Sequence, residues 1–176
     1  MTEHRFTVRI AGPEDIPTIA HQRAEMFGDM GRLTSDARSV LVDETARFLE
    51  RALPSGEYRG WLAVTCADPQ LVIGGAGVQL RRVMPFPRHS SPTTIAAGRQ
   101  AIVINVYTDP RWRGRGVART LMEHIVSWAR AERLDSLVLH ASDAGRPLYE
   151  KLGFAATNEM RYTGSLASAL DAPEER

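Results

Sequence analysis

The most constraining feature of the sequence is an apolar run that leads through an arginine- and glycine-rich loop into an amphipathic segment. Residues 101–107 are apolar except for Asn105, a pattern typical of a central strand buried on both faces. Residues 111–116 read Arg-Trp-Arg-Gly-Arg-Gly, and from Val117 to Trp128 apolar residues recur at helical spacing. The sequence therefore predicts a strand, a glycine loop and a helix in immediate succession.

The loop between this strand and this helix is suited to a phosphate group. The first turn of a helix has amide groups without partners and carries about half a positive charge. Glycines allow a phosphate to come within hydrogen-bonding distance of the backbone, and neighbouring arginines add charge-assisted contacts. We therefore expect residues 113–118 to hold a phosphorylated ligand.

Two common nucleotide-binding patterns fit this loop poorly. A Walker A loop needs Gly-Lys-Ser/Thr, which is absent, and Lys151 is the single lysine of the chain. The dinucleotide fingerprint is half met by Gly114 and Gly116, but its third glycine falls on Arg119. Asp135 follows at about the expected distance, but it precedes the next predicted strand instead of ending it. Both patterns are weakly supported.

A third pattern extends beyond the loop. Residues 113–118, Arg-Gly-Arg-Gly-Val-Ala, have the Arg/Gln-x-x-Gly-x-Gly/Ala pattern of the GCN5-related N-acetyltransferases, the acetyl-CoA-dependent GNAT superfamily. Residues 105–110, NVYTDP, resemble the family's fourth strand. Residues 146–154, RPLYEKLGF, resemble its C-terminal Leu-Tyr-x-Lys-x-Gly-Phe signature. The order of predicted elements also resembles the family over nearly the whole chain.

The resemblance implies one α/β (α+β) domain over residues 1–167, with residues 168–176 as a frayed tail. The sheet is expected to be mixed and mostly antiparallel, with helices on both faces and a V-shaped split between strands 4 and 5. Apolar patterns predict strands at 6–10, 61–64, 71–80, 101–107, 136–140 and about 157–163, and helices at about 16–27, 35–52, 117–130 and 145–152. Glycines at 74, 75 and 77 indicate a bulge or a close backbone approach. Residues 81–100 have no usable periodicity and are expected to form a long connection that acts as a lid or specificity element.

The resemblance also implies where acetyl-CoA would bind. In the family, pantetheine lies in the split and hydrogen-bonds to the exposed backbone of the fourth strand, which here is Val106, Tyr107 and Thr108. Ser142 stands where many members have an asparagine that contacts the cofactor. No metal is implied. The pyrophosphate would lie on the amides of Arg113, Gly114, Arg115, Gly116, Val117 and Ala118.

Tyr149 stands at the family's general-acid position, where the phenol protonates the departing CoA thiolate. Its ordinary pKa of about 10, against about 8.5 for a thiol, favours assistance by a hydrogen bond as charge develops. A half-buried tyrosine that packs on Phe154 is the alternative. No glutamate stands early on the fourth strand, where members often have the general base, so Glu25 and Asp29 are the candidates for it. Asn105 can orient a substrate or a water molecule on the acceptor side but is a poor proton acceptor. For the two carboxylates a solvated helix end is the alternative, and the substrate can also lose its proton in bulk water.

The resemblance implies direct transfer of an acetyl group from acetyl-CoA to an amine of a small molecule or peptide. Cys66, the single cysteine, lies away from any histidine motif, which gives no support to a covalent enzyme intermediate, and one cysteine cannot form an internal disulfide or a zinc ribbon. Two other classes stay open at this point: a non-catalytic acyl-CoA sensor, and a nucleic-acid-binding module built on the arginines of residues 81–119.

The net charge of +1 conceals a strong segregation of charge along the chain. Residues 81–119 hold eight arginines against Asp109, a local charge of +7 that leaves −6 on the remainder. A basic groove on a mildly acidic body suits the phosphates of one CoA, and no nucleic acid is expected as the partner. The N-terminus has no apolar signal region and no apolar run approaches about 18 residues, so we expect a cytoplasmic protein without a membrane partner. We expect it to be a monomer or a homodimer.

Overall fold

The computed structural model describes residues 6–88, 91–157, 159–160 and 162–163. Short 3-10 turns at Pro13–Asp15 and Pro110–Trp112 lead towards α1 and α3. The elements in chain order are β1 (Phe6–Ile10), α1 (Ile16–Asp29), α2 (Arg38–Ser55), β2 (Tyr58–Thr65), β3 (Val72–Arg82), β4 (Phe86–Arg88), β5 (Ser91–Ala96), β6 (Arg99–Thr108), α3 (Val117–Ala131), β7 (Ser136–Leu139) and α4 (Arg146–Lys151).

Five of the strands form one mixed sheet in the order β1-β2-β3-β6-β7. Within the described residues, each pair of this sheet from β1 to β6 is antiparallel, and only β6 and β7 are parallel. A parallel pair needs a crossover, and α3 provides it between β6 and β7. The predicted mixed and mostly antiparallel sheet is confirmed.

Helices cover both faces of this sheet, as predicted. On one face α1 and α2 bury Ile19 and Leu49 against Leu62 of β2. On the other face α3 buries Leu121 and Ile125 against neighbours of Leu62 in the strand, because successive side chains of a strand point to opposite faces. Side chains of α1 and α2 therefore meet one face of the sheet, and side chains of α3 meet the other.

The glycines of β3 allow the close approach that the sequence predicts. A Cβ added at Gly74 would lie 2.8 Å from the Tyr107 carbonyl oxygen and 2.9 Å from a methyl group of Val117. A Cβ added at Gly77 would lie 2.1 Å from the Tyr58 hydroxyl oxygen. The small residues therefore bring β6, α3 and the Tyr58 ring tightly against β3.

The segment 81–100 is more regular than the sequence predicts. Instead of an irregular connection it contains β4 and β5, which pair as a separate two-stranded sheet. The Val83 amide bonds to the Gly98 carbonyl at 2.9 Å, and Arg88 forms an ion pair with the buried carboxylate of Asp135. The prediction failed because β4 has only three residues, including Pro87, and most of β5 is exposed, so neither strand has an apolar alternation.

The predicted last strand is not found in the described part of its segment. Thr157, residues 159–160 and residues 162–163 have no regular structure, while Asn158 and Arg161 lie outside the described residues. Met160 is 94% exposed and Tyr162 is 69% exposed, so these side chains bury no face that would hold a strand against the sheet. The tail at 168–176 also lies outside the described residues. Within the described ranges, no helix is long and apolar enough to cross a membrane.

Candidate functional site

The parallel strands β6 and β7 pair over only part of the length of β6. The pairing runs from Gln100 opposite Ser136 to Val103 opposite Leu139, and it stops there. Residues 104–108 of β6 continue without a neighbour on that side within the described chain. This is the V-shaped split between the fourth and fifth strands of the main sheet, and it leaves one edge of β6 backbone open.

A bulge in β6 lies at the start of the open edge. Gly75 pairs with Tyr107 and Gly77 pairs with Ile104, so two residues of β6, Asn105 and Val106, lie opposite a single residue of β3. Asn105 has a φ of +57°, a left-handed conformation that asparagine tolerates better than most residues. A bulge bends its strand and redirects side chains, which explains why β6 leaves β7 at this point.

Val106, Tyr107 and Thr108 all lie on the open part of β6. The Thr108 hydroxyl is buried, and in the described part of the chain it has no hydrogen-bond partner. Burial raises the pKa of the Tyr107 phenol, and the nearby carboxylates of Glu25 and Asp29 raise it further. An open backbone edge and an unpartnered hydroxyl are groups that a polar, extended ligand can satisfy.

The glycine loop ends in a set of unpaired amides. Gly114 and Gly116 have φ values of +73° and +84°, and a Cβ at either position would meet open space. α3 begins at Val117, and no oxygen of the described residues accepts a hydrogen bond from the amides of residues 114–119. Arg115 lies over the Trp112 ring at 5.2 Å. The loop thus offers a set of unpaired donors at a helix N-terminus, an arrangement suited to phosphate.

Arg113 connects this loop to β6 and to α1. Its Nε donates a hydrogen bond to the Thr108 carbonyl at 3.1 Å, and its guanidinium forms an ion pair with Asp29. Asp29 therefore lies beside the glycine loop. Glu25, one turn earlier in α1, forms an ion pair with Arg38 of α2 instead. The two carboxylates that the sequence offers as candidates thus have different cationic partners.

Tyr149 and Ser142 lie at α4. The Tyr149 ring is half-buried, edge-on to Phe154 with centroids 6.1 Å apart, and burial raises the pKa of its phenol. The Ser142 hydroxyl oxygen (Oγ) accepts a hydrogen bond from the Gly145 amide at 3.2 Å, which supports the start of α4. The hydroxyl proton remains free to donate. The roles that the sequence suggests for both side chains stay predictions.

A cavity of about 290 Å³ lies on the α1–α2 side of the bulge. Asn105 lines it and accepts a hydrogen bond from Arg23, which is 82 residues away in the sequence. Burial raises the pKa of the Tyr58 phenol to about 12, and the nearby Asn105 side chain opposes this shift in part. The remaining lining residues are Leu41, Glu44, Thr45, Phe48, Leu49, Gln79 and Ile104.

The sequence predictions did not include Arg23 or Tyr58 at the site. A signal for Arg23 exists, because it falls at helical spacing within the apolar stripe of Ile16, Ile19, Ala20 and Phe27. A charged residue on the buried face of a helix needs a polar partner, and Asn105 is that partner. No comparable signal marks Tyr58, which stands among ordinary strand residues.

The fold and the site define an acetyltransferase. The model of the acetyltransferase (GNAT) family matches residues 30–154, and the chain belongs to this family. An aminoglycoside N(6')-acetyltransferase type 1 from Stenotrophomonas maltophilia is 26% identical over 165 residues, which cover 89% of this chain and 90% of that protein.

Two solved structures have closely similar folds. A GCN5-related N-acetyltransferase from Ralstonia eutropha JMP134 has a TM-score of 0.76 and 25% identity, over 89% of this chain and 97% of that chain. A predicted acetyltransferase from Clostridium acetobutylicum, with acetyl-CoA, has a TM-score of 0.75 and 25% identity, over 90% of this chain and 96% of that chain. The predicted family and enzyme class are confirmed.

Proposed function

We propose that the protein transfers the acetyl group of acetyl-CoA directly to an amine of a small molecule or peptide. The observation that carries this proposal is the set of unpaired amides at residues 114–119, which lies at the end of the open edge of β6. Phosphates bound to these amides and a pantetheine arm along residues 106–108 would together account for both features. The similarity to the Clostridium acetobutylicum acetyltransferase with acetyl-CoA supports acetyl-CoA as the donor.

Acetyl transfer requires a neutral amine and a protonated leaving group. The amine nitrogen forms a bond to the carbonyl carbon, the carbon–sulfur bond breaks, the nitrogen loses a proton and the thiolate gains one. In this proposal Tyr149 donates a hydrogen bond or a proton to the sulfur. Burial raises the pKa of Tyr149, so the phenol remains protonated at neutral pH and above.

None of the candidate residues is well suited to act as a general base for the amine. Glu25 and Asp29 are the nearest candidates from the sequence, and both are engaged in ion pairs with arginines. Asn105 can orient an amine or a water molecule, but a neutral amide is a poor proton acceptor. We therefore propose that the acceptor binds after losing its proton to solvent, so that the rate rises with pH towards the pKa of the acceptor amine.

The test is a turnover screen with acetyl-CoA in which the released thiol is measured across aminoglycosides, polyamines, amino acids and peptide N-termini. Aminoglycosides belong in the screen because of the Stenotrophomonas maltophilia relative. Amine-dependent thiol release confirms the proposal. Binding of acetyl-CoA without turnover on any amine would favour the acyl-CoA sensor instead. Acetyl-enzyme trapped after incubation with acetyl-CoA alone would contradict direct transfer.

A further inference from the structure

Arg23 brings a positive charge to the cavity beside the β6 bulge without a carboxylate to balance it. Its guanidinium donates a hydrogen bond to the Asn105 side-chain oxygen and lies 4.9 Å from the centre of the Phe27 ring. Among the described residues, no carboxylate forms an ion pair with Arg23. Both partners are neutral, so the charge is solvated only in part and is not compensated.

The neighbouring titratable groups do not supply the missing negative charge. With its pKa raised to about 12, the phenol of Tyr58 is neutral over the working range of most enzymes. Glu44 lines the same cavity, but its carboxylate is paired with Arg47, and both of these side chains are exposed. A cation that is withdrawn from water without a counter-charge is costly, and an anion bound beside it offsets that cost.

The cavity also limits the size and the charge of what it can hold. Its volume of about 290 Å³ is just below the usual range for ligand pockets, which is about 300–1,000 Å³. Arg23 is the only cation among the described residues that line it, and one guanidinium matches one carboxylate in two parallel hydrogen bonds. Leu41, Phe48 and Ile104 provide apolar walls.

We propose that the acceptor is a small primary amine that carries one carboxylate and an apolar body, and that Arg23 binds the carboxylate. The inference rests on the proposed function for the acetyl donor and adds the class of acceptor to it. An amino acid with an apolar side chain has all three parts. A polycationic amine would instead be repelled by Arg23.

The first experiment compares matched acceptors on the full-length protein. Leucine, methionine and phenylalanine are each assayed against their amides and their decarboxylated amines, with an aminoglycoside as the polycation. With rates referred to the concentration of neutral amine, loss of two charge-assisted hydrogen bonds predicts kcat/KM values about 10- to 100-fold higher for the best amino acid than for its amide. Equal values for acid and amide, or a preference for the aminoglycoside, would overturn the inference while leaving the proposed function intact.

The second experiment changes the proposed anchor. Arg23→Gln is expected to raise the KM of the amino acid about 10- to 100-fold, with the KM of acetyl-CoA and the KM of the amide unchanged. Arg23→Lys keeps the charge without the planar fork and is expected to retain part of the affinity. Arg130→Gln, an exposed arginine in the last turn of α3, is the control with the same change in net charge.

A further variant guards against misfolding of the Arg23 substitutions. Asn105→Asp keeps the size of the side chain and tolerates positive φ, and it places a carboxylate against Arg23. It is expected to fold and to raise the KM of the amino acid as Arg23→Gln does. An unchanged KM for the amino acid in both Arg23→Gln and Asn105→Asp would overturn the inference.

A binding measurement separates this inference from the proposed function. Free amino acids and their amides are titrated calorimetrically into the protein without acetyl-CoA. Carboxylate-dependent binding that Arg23→Gln abolishes supports the anion site even if acetyl-CoA turnover fails. Absence of such binding at millimolar ligand, in a protein that does use acetyl-CoA, counts against the site and not against acetyl transfer.

Discussion

Arg113 and Asp29 form an ion pair that ties the glycine loop to the end of α1. The same guanidinium holds the Thr108 carbonyl through its Nε, so one side chain fixes the loop, the end of β6 and α1 relative to one another. Both side chains of the pair are about half exposed, so the pair contributes little to stability. Its effect falls mainly on the electrostatic potential at the loop.

Asp29→Asn tests this relationship. Removing a negative charge beside the loop is expected to lower the KM of acetyl-CoA about two- to fivefold at low salt, because exposed charge pairs are worth up to about 1 kcal/mol. At about 1 M salt the effect should disappear, since the screening length falls to about 3 Å. Asp36→Asn, an exposed aspartate outside the site, is the control. A loss of kcat by orders of magnitude would identify Asp29 as the proton acceptor.

Gly116→Ala tests the set of unpaired amides at residues 114–119. At a φ of +84° a Cβ costs about 1–2 kcal/mol, and the loop relieves this strain by leaving the left-handed conformation that exposes its amides. The KM of acetyl-CoA is expected to rise about tenfold, which corresponds to about 1.4 kcal/mol. Gly56→Ala is the matched control, because Gly56 has a φ of +76° with open space around it but ends α2. An equal effect of both variants on the KM of acetyl-CoA would show that the amides of this loop do not bind acetyl-CoA.

Tyr149→Phe tests the proposed acid. Loss of a positioned proton donor is expected to lower kcat about 100-fold while the KM of acetyl-CoA stays within about twofold. Tyr162→Phe, at a residue that is 69% exposed, is the control. Because burial raises the pKa of Tyr149, the protonated form persists to higher pH, and the basic limb of kcat in the native protein should lie above about pH 10. An unchanged kcat would leave Tyr149 as a packing residue beside Phe154.

The pair of Arg9 and Asp15 predicts the acid stability of the fold. Hydrogen bonds from Arg9 lower the pKa of the buried Asp15 carboxylate, which also accepts a bond from the Gly12 amide at 2.8 Å. A depressed pKa in the folded state means that the carboxylate stabilises the fold above about pH 4 and loses this effect as the pH falls through the folded pKa.

Asp15→Asn is therefore expected to cost about 2 kcal/mol of unfolding free energy at pH 7 and less at pH 3, as measured by urea denaturation. The control is Glu123→Gln, which makes the same chemical change in the exposed pair with Arg119 and should cost less than about 0.5 kcal/mol. Equal losses at both pH values would exclude the charge of Asp15 as the cause.

Much of the fold could be predicted from the sequence because its signals are local. The apolar run at 101–107 and the apolar stripe from Val117 give β6 and α3 almost to the residue, and Gly114 and Gly116 mark the loop between them. The hairpin of β4 and β5 could not be predicted, because its strands are short and exposed and have no apolar alternation. Local patterns predict an element only where it buries a regular face.

The glycine loop before α3 could be predicted from the sequence alone, since unpaired amides at a helix N-terminus and glycines with positive φ depend on neighbours within a few residues. The sequence also determined the family, through motifs that are contiguous in the chain. The lining of the cavity beside the β6 bulge became visible only in the folded chain. Arg23 and Asn105 meet because the bulge in β6 turns Asn105 towards α1, and neither the bulge nor the contact across 82 residues follows from local preference.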